Sequence, residues 1–221
     1  IIRVFDRHGE RNKRMKARMK FLIKDIGKEA FLELVEKEKK AIAFETYEID
    51  ITGFEEAIPE PLLEVPKVTI TNPLAYETWK ASNVIRQKQK GYVAIGIKVL
   101  LGDFYTDKAR VLADLIKNYA ANELRFSLRQ NIVIRNVKEE NLPFFYQELA
   151  KLDMVALGYN STADITACPG TDTCNLGIAS STGIAEELEK VIEAEYPQYK
   201  NNSEIEIKIS GCMNACGQHN M

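Results

Sequence analysis

Cysteine, histidine and long apolar runs are scarce in this chain of 221 residues, and each scarcity excludes something. Four thiols are too few for a secreted disulfide scaffold. Two histidines, His8 and His219, are too few for a histidine-based metal site. No apolar run approaches the length that spans a bilayer, so no membrane partner is expected. The net charge of −2 gives no overall field that would attract nucleic acid. At 45% hydrophobic and 28% charged residues the composition is that of a globular protein. Thiols without a secretion signal lead to the expectation of a reducing, cytoplasmic setting.

The four cysteines that are present form two close pairs. Cys168 and Cys174 read C-x5-C in ACPGTDTC; after 37 residues, Cys212 and Cys216 read C-x3-C in SGCMNACG. Two such pairs in an otherwise thiol-free sequence have ligand spacing. A zinc site is one reading, but structural zinc ligands usually stand two to four residues apart, so the wider first gap fits it poorly. An iron–sulfur cluster accommodates both gaps, because four thiolates must reach the corners of a bulky inorganic group. Pro169 and Gly170 turn the chain straight after the first thiol. Gly211 and Gly217 bracket the second pair, where backbone would pass close to such a group. Asn175, Asn214 and the loop amides are candidate donors to its sulfurs.

ACPGTDTC followed by GCMNACGQ resembles the paired cysteine motif of the sirohaem-dependent nitrite and sulfite reductases. The resemblance implies that Cys168, Cys174, Cys212 and Cys216 hold a 4Fe-4S cluster. It also implies that Cys216 ligates the sirohaem iron and is thereby part of the catalytic centre. DRHGERNKRMKARMKFLIKDIG resembles the basic helix closing the first half of these enzymes, and ELRFSLRQNIVIRNV the strand–turn–strand of their second ferredoxin-like half-domain. Family members are longer at both ends, so this chain is expected to be an internal portion.

Charge is uneven. Nine Arg or Lys lie within residues 1–24 against Asp6 and Glu10, with Met15, Met19, Leu22 and Ile26 as an apolar stripe, the pattern of one basic amphipathic helix. A solvated face is the plain reading for most of these charges. Sirohaem is a polycarboxylate, and the planar guanidinium fork suits carboxylates. The resemblance therefore makes Arg11, Arg14, Arg18 and Lys20 candidate contributors, although their spacing does not place all four on one face.

A second helix is expected from Lys28 to about Lys39, then an extended linker through Pro59, Pro61 and Pro66, with 67–90 ambiguous. From Gly91 onward, alternation predicts a strand over Val93–Leu101, a helix from Thr106 to about Asn122, and strands around Leu124–Leu128 and Ile132–Val137. A helix over Asn141–Leu152 and a last strand over Met154–Gly158 complete the split βαβ order. Alternation puts Leu124, Phe126 and Leu128 towards the helices and Arg125, Ser127 and Arg129 on the opposite face. A helix ending at about Tyr196 and a strand through Ile205, Ile207 and Ile209 lead to the second cysteine pair. The expected fold class is α+β. A helical segment (1–58) and linker (59–90) precede a ferredoxin-like half-domain (91–158) and part of a nitrite/sulfite reductase 4Fe-4S and sirohaem domain (159–221). The resemblance adds Arg125, Gln130 and Asn131 as polar contacts to sirohaem.

The activity implied is six-electron reduction of sulfite to sulfide or nitrite to ammonia, with a ferredoxin or flavoprotein as electron donor. A 4Fe-4S electron carrier without sirohaem and a zinc-stabilised nucleic-acid-binding module stand as alternatives. Both leave RFSLRQN unexplained.

Overall fold

The computed structural model describes residues 1–43, 48–50 and 58–219. The chain forms two compact units, Ile1–Glu56 and Ala57–Met221. The expected boundary at 58 adjoins residues 51–57, which lie outside the described residues.

In the first unit the basic segment is not one helix. Helix α1 (Ile2–His8) and helix α2 (Met19–Ile26) are separated by irregular chain and one 3-10 turn. The Glu10 carboxylate accepts from the amides of Asn12 and Lys13, at 2.6 and 3.1 Å, which holds the backbone in a turn. The cations at 11, 13, 14, 16 and 18 would also repel one another on a continuous helix. The expected stripe is correspondingly broken. Leu22 is buried, but Met15, Met19 and Ile26 are exposed, and the core is Val4, Leu22 and Phe31. Helix α3 (Lys28–Ala41) follows as expected. Gly27 links α2 to α3 at φ 84°, a conformation glycine adopts without steric cost.

The second unit begins with residues assigned to a linker, and the structure corrects this. Helix α4 (Pro73–Asn83) starts where Asn72 accepts from the Ala75 amide, with proline in the first turn. Strand β1 (Val84–Arg86) follows directly. Trp79 is 1% exposed and packs against Tyr76 and Tyr146, with ring centroids 6.1 and 5.1 Å away.

Strand β2 (Tyr92–Ile97), helix α5 (Thr106–Tyr119), strand β3 (Leu124–Phe126), strand β4 (Ile132–Lys138) and helix α6 (Leu142–Lys151) match the expected elements. The antiparallel sheet runs β1-β2-β4-β3, so β4 is inserted between β2 and β3. Ile95, Ile97, Ile132 and Ile134 join Leu112, Leu115 and Ile116 of α5 and Phe145 and Leu149 of α6 in one core. The alternation is seen over the first half of β4, whereas β2 is buried on both faces from Val93 to Ile97. On β3 it fails in burial, because Phe126 and Leu128 are exposed at the short edge strand and its turn. Residues 154–158 form no strand, since the place beside β2 is taken by β1. That segment is held by side chains instead. Asn83 Nδ2 donates to the carbonyls of Gly96 and Ala156, and Ser82 Oγ accepts from the Gly158 amide.

Beyond it, strand β5 (Thr166–Ala167), helix α7 (Ser181–Glu195) and strand β6 (Lys208–Ile209) form a small parallel βαβ unit. Its core is Ala163, Ile165, Ala167, Ala185 and Ile192. No helix among the described residues is long and apolar enough to cross a membrane.

If α4 is part of the core, Trp79→Ala costs about 3–5 kcal/mol in denaturant unfolding of this unit. A linker residue would change the midpoint hardly at all.

Candidate metal centre

Parallel pairing puts the C-terminal ends of both strands side by side. Cys168 directly follows β5, and Cys212 follows β6 after Ser210 and Gly211. The two cysteine loops are then joined by backbone bonds. Cys168 N–H donates to Ile209 O at 3.1 Å, and Gly211 O accepts from Ile178 and Ala179 at 2.9 and 3.2 Å. Within the first loop, Cys174 N–H donates to Gly170 O at 3.1 Å and Gly177 N–H to Cys174 O at 2.9 Å.

The glycines serve this loop-to-loop contact. A Cβ on Gly211 would sit 2.6 Å from Ala179 O and 2.8 Å from Gly170 Cα, and one on Gly170 would collide with Ala179 O and the Ser181 hydroxyl. At Gly217 a Cβ would collide with Ile209 O. The space these residues spare is filled by the protein's own backbone and the Ser181 hydroxyl, whereas the expectation was that Gly211 and Gly217 make room for an inorganic group.

Cys168 is buried, Cys212 half-buried, and Cys174 and Cys216 exposed. The Cys168 sulfur accepts from Gly211 N–H at 3.2 Å and lies 3.3 Å from Ser181 Oγ. The Asn214 amide points at the Cys212 sulfur from 3.5 Å. Burial pushes the Cys168 thiol up, but the Gly211 amide, the Ser181 hydroxyl and the Gly170 amide outweigh it, leaving the thiol below its ordinary range. Among the described residues no three Cys, His, Asp or Glu side chains converge as ligands of a single metal ion. Leu176, Ile178 and Met213, interleaved with the thiols, are exposed.

The turn between β3 and β4 clamps this assembly. Gln130, at φ 65°, donates from Nε2 to Ala167 O at 2.8 Å and accepts at Oε1 from Ala167 N–H at 3.2 Å. Its amide thus acts as a further strand against β5, one residue before Cys168. Arg129 pairs with Glu206 ahead of β6, and Gln218, just past Cys216, donates to Leu128 O at 3.0 Å. Asn131 is fully buried, accepting from Val99 N–H at 2.8 Å and donating to Asp164 Oδ2 at 2.6 Å. It has no surface to offer a cofactor, and its place is structural.

The other residues singled out from the sequence are dispersed. Arg125 is exposed and, with Arg135, pairs with Glu123. Arg11, Arg14, Arg18 and Lys20 belong to the first unit. Arg11 caps the end of α1, donating to Asp6 O at 2.8 Å and Asp6 Oδ1 at 2.6 Å. Arg14 is exposed, Arg18 is the N-cap of α2, and Lys20 lies over the Phe21 ring. His219 is exposed and His8 ends α1. Sequence reasoning missed the contacts of Ser181 and Asp164 and the half-buried pair of Lys98 with Glu189 at 2.9 Å.

Burial raises the Asp164 carboxyl above the ordinary carboxylate range, against donation from Asn160 and Asn131 and the charges of Lys98 and Arg129. The folded state therefore holds this proton more tightly than the unfolded chain. The resulting stability is complete below about pH 3.9 and is lost as pH rises through the raised value. Asp164→Asn removes that decline, which denaturation midpoints across the window measure. Asn131→Ala orphans the Val99 amide and Asp164, at about 1–3 kcal/mol for each buried group in the same assay.

Two family models match the chain: the nitrite/sulfite reductase ferredoxin-like half domain over residues 85–152, and the nitrite and sulphite reductase 4Fe-4S domain over residues 1–42. Across 99% of its length the chain is 26% identical to a chloroplastic ferredoxin–nitrite reductase of Spinacia oleracea, covering 33% of that protein. It is 24% identical, also over 99%, to sulfite reductase (ferredoxin) 2 of Mycolicibacterium paratuberculosis, covering 36% of it. The solved structure of the Mycobacterium tuberculosis NirA protein superposes with a TM-score of 0.58 at 26% identity, covering 95% of this chain and 35% of that one. The chain thus spans about a third of the length of the relatives it matches. The half-domain match covers the β1–α6 sheet, and the relatives align through both cysteine loops, so what this chain is similar to along its length is the nitrite and sulfite reductases.

Proposed function

We propose that this chain is the cluster-holding and partly sirohaem-binding portion of an enzyme reducing nitrite or sulfite. The observation that carries this reading is the joining of the two cysteine loops at the ends of β5 and β6. The 4Fe-4S family model matches residues 1–42, which contain no cysteine, and all four thiols lie outside both matched stretches. Their assignment therefore rests on the loops themselves.

The donor set fits the group. Four thiols stand on two adjoining loops, with amides of Gly211 and Asn214 aimed at two of the sulfurs. The five-residue gap of the first pair is wider than structural zinc ligands usually show. A wider inorganic cluster suits thiols carried on the rims of two loops. Such a cluster supplies electrons singly when bound. The chain's contribution is to fix the sulfurs, to donate hydrogen bonds to them and to exclude water behind Cys168, where residues 161–168 are all buried.

Cys216, exposed beside the cluster loops, is the thiolate proposed to be shared with the sirohaem iron. Arg125 offers an exposed cation for the carboxylates of sirohaem, while Gln130 acts from behind by fixing Ala167. The proposed donor is a ferredoxin, as in the nitrite and sulfite reductases to which the chain is similar, and the proposed setting is cytoplasmic.

Anaerobic expression of the complete protein is expected to give sirohaem absorption, an EPR-active cluster and iron matched by acid-labile sulfide. Zinc without sulfide in that sample contradicts the proposal. Substituting Ser for any one of the four cysteines is expected to abolish the cluster signal. Gly211→Ala, which drives a methyl into the first loop, is expected to lower iron incorporation severalfold with all four thiols intact.

A further inference from the structure

Ser181 is fully buried at the start of α7, and its hydroxyl stands where the two cysteine loops meet. Oγ donates to Cys168 O at 2.6 Å and lies 3.3 Å from the Cys168 sulfur. The missing side chains of Gly170 in one loop and Gly211 in the other leave room for this oxygen: a Cβ on Gly170 would overlap it, and one on Gly211 would lie 3.2 Å away. One hydroxyl proton thus has two acceptors on the same residue, an amide carbonyl and a sulfur.

We infer that Ser181 is a tuning residue for the proposed cluster, its proton moving from the Cys168 carbonyl towards the sulfur as that sulfur gains negative charge. A hydrogen bond to the more negative state favours that state, and hydrogen bonds to ligand sulfurs are among the levers that set cluster potentials. The Gly211 amide already donates to the same sulfur but is fixed by the backbone. The hydroxyl differs because it can rotate without moving the chain. Removing it makes reduction less favourable and leaves the ligand set unchanged. This inference rests on the cluster assignment of the preceding section.

The test compares Ser181→Ala and Ser181→Thr with the unaltered complete protein, purified anaerobically, reading iron and sulfide content, EPR and midpoint potential. Ser181→Ala is expected to retain its iron and sulfide while the reduced-to-oxidised equilibrium falls about tenfold, a shift of about 59 mV to lower potential for one electron. Ser181→Thr, which keeps the hydroxyl, is expected to restore the unaltered potential. An unchanged potential in Ser181→Ala overturns the inference and leaves the cluster assignment standing. Equal shifts in both variants also overturn it, by showing that shape and not the proton matters. If Ser181→Ala fails to assemble, the potential of Ser181→Thr alone decides: unaltered supports the role, and shifted overturns it. Absence of iron and sulfide from the unaltered protein overturns both readings.

Discussion

Parallel pairing of Thr166–Ala167 with Lys208–Ile209 governs where the thiols stand. Two strands of two residues each are a small interaction, yet parallel direction is what sends both outgoing loops to the same edge. An antiparallel arrangement would place the two cysteine pairs at opposite ends. The required crossover is α7, whose buried Ala185 and Ile192 pack over the pair. Gly170 and Gly211 then let the loops touch, and Cys168 becomes the buried thiol of the set.

So short a sheet needs outside support, and the neighbouring sheet supplies it through one turn. Gln130 binds both backbone groups of Ala167, Arg129 reaches Glu206, Asn131 holds Asp164, and Gln218 returns to Leu128. Each contact fixes a different piece of the cysteine-bearing unit. A ferredoxin-like sheet, itself without a thiol, thus supports the proposed metal centre. It positions the candidate ligands from behind.

Much of this was legible in the sequence. The cysteine spacing singled out the candidate ligands, and pattern located α3, α5, α6, α7, β2 and β4, because long elements repeat it. Elements too short to repeat were lost, such as β5, the strand expected through Ile205, Ile207 and Ile209 is only the two residues of β6, and β3 appeared buried although Phe126 lies at an open edge. Helix α4 was hidden by the proline-rich run before it, although Asn72-Pro73 is itself a start signal that could have revealed it. The break at 9–18 depends on Glu10 capturing two amides, which a helical wheel does not register. The roles of Gln130, Asn131 and Ser181 arise from contacts across more than ten residues, and polar residue type alone gives no sign of which acceptor will be met.

The most direct test of the central claim is anomalous diffraction at the iron edge from anaerobically grown crystals of the complete protein. The account predicts one compact iron peak between the 168–174 and 212–216 loops, within bonding distance of all four sulfurs. An iron peak elsewhere, or a zinc-edge signal on one cysteine pair alone, would contradict it.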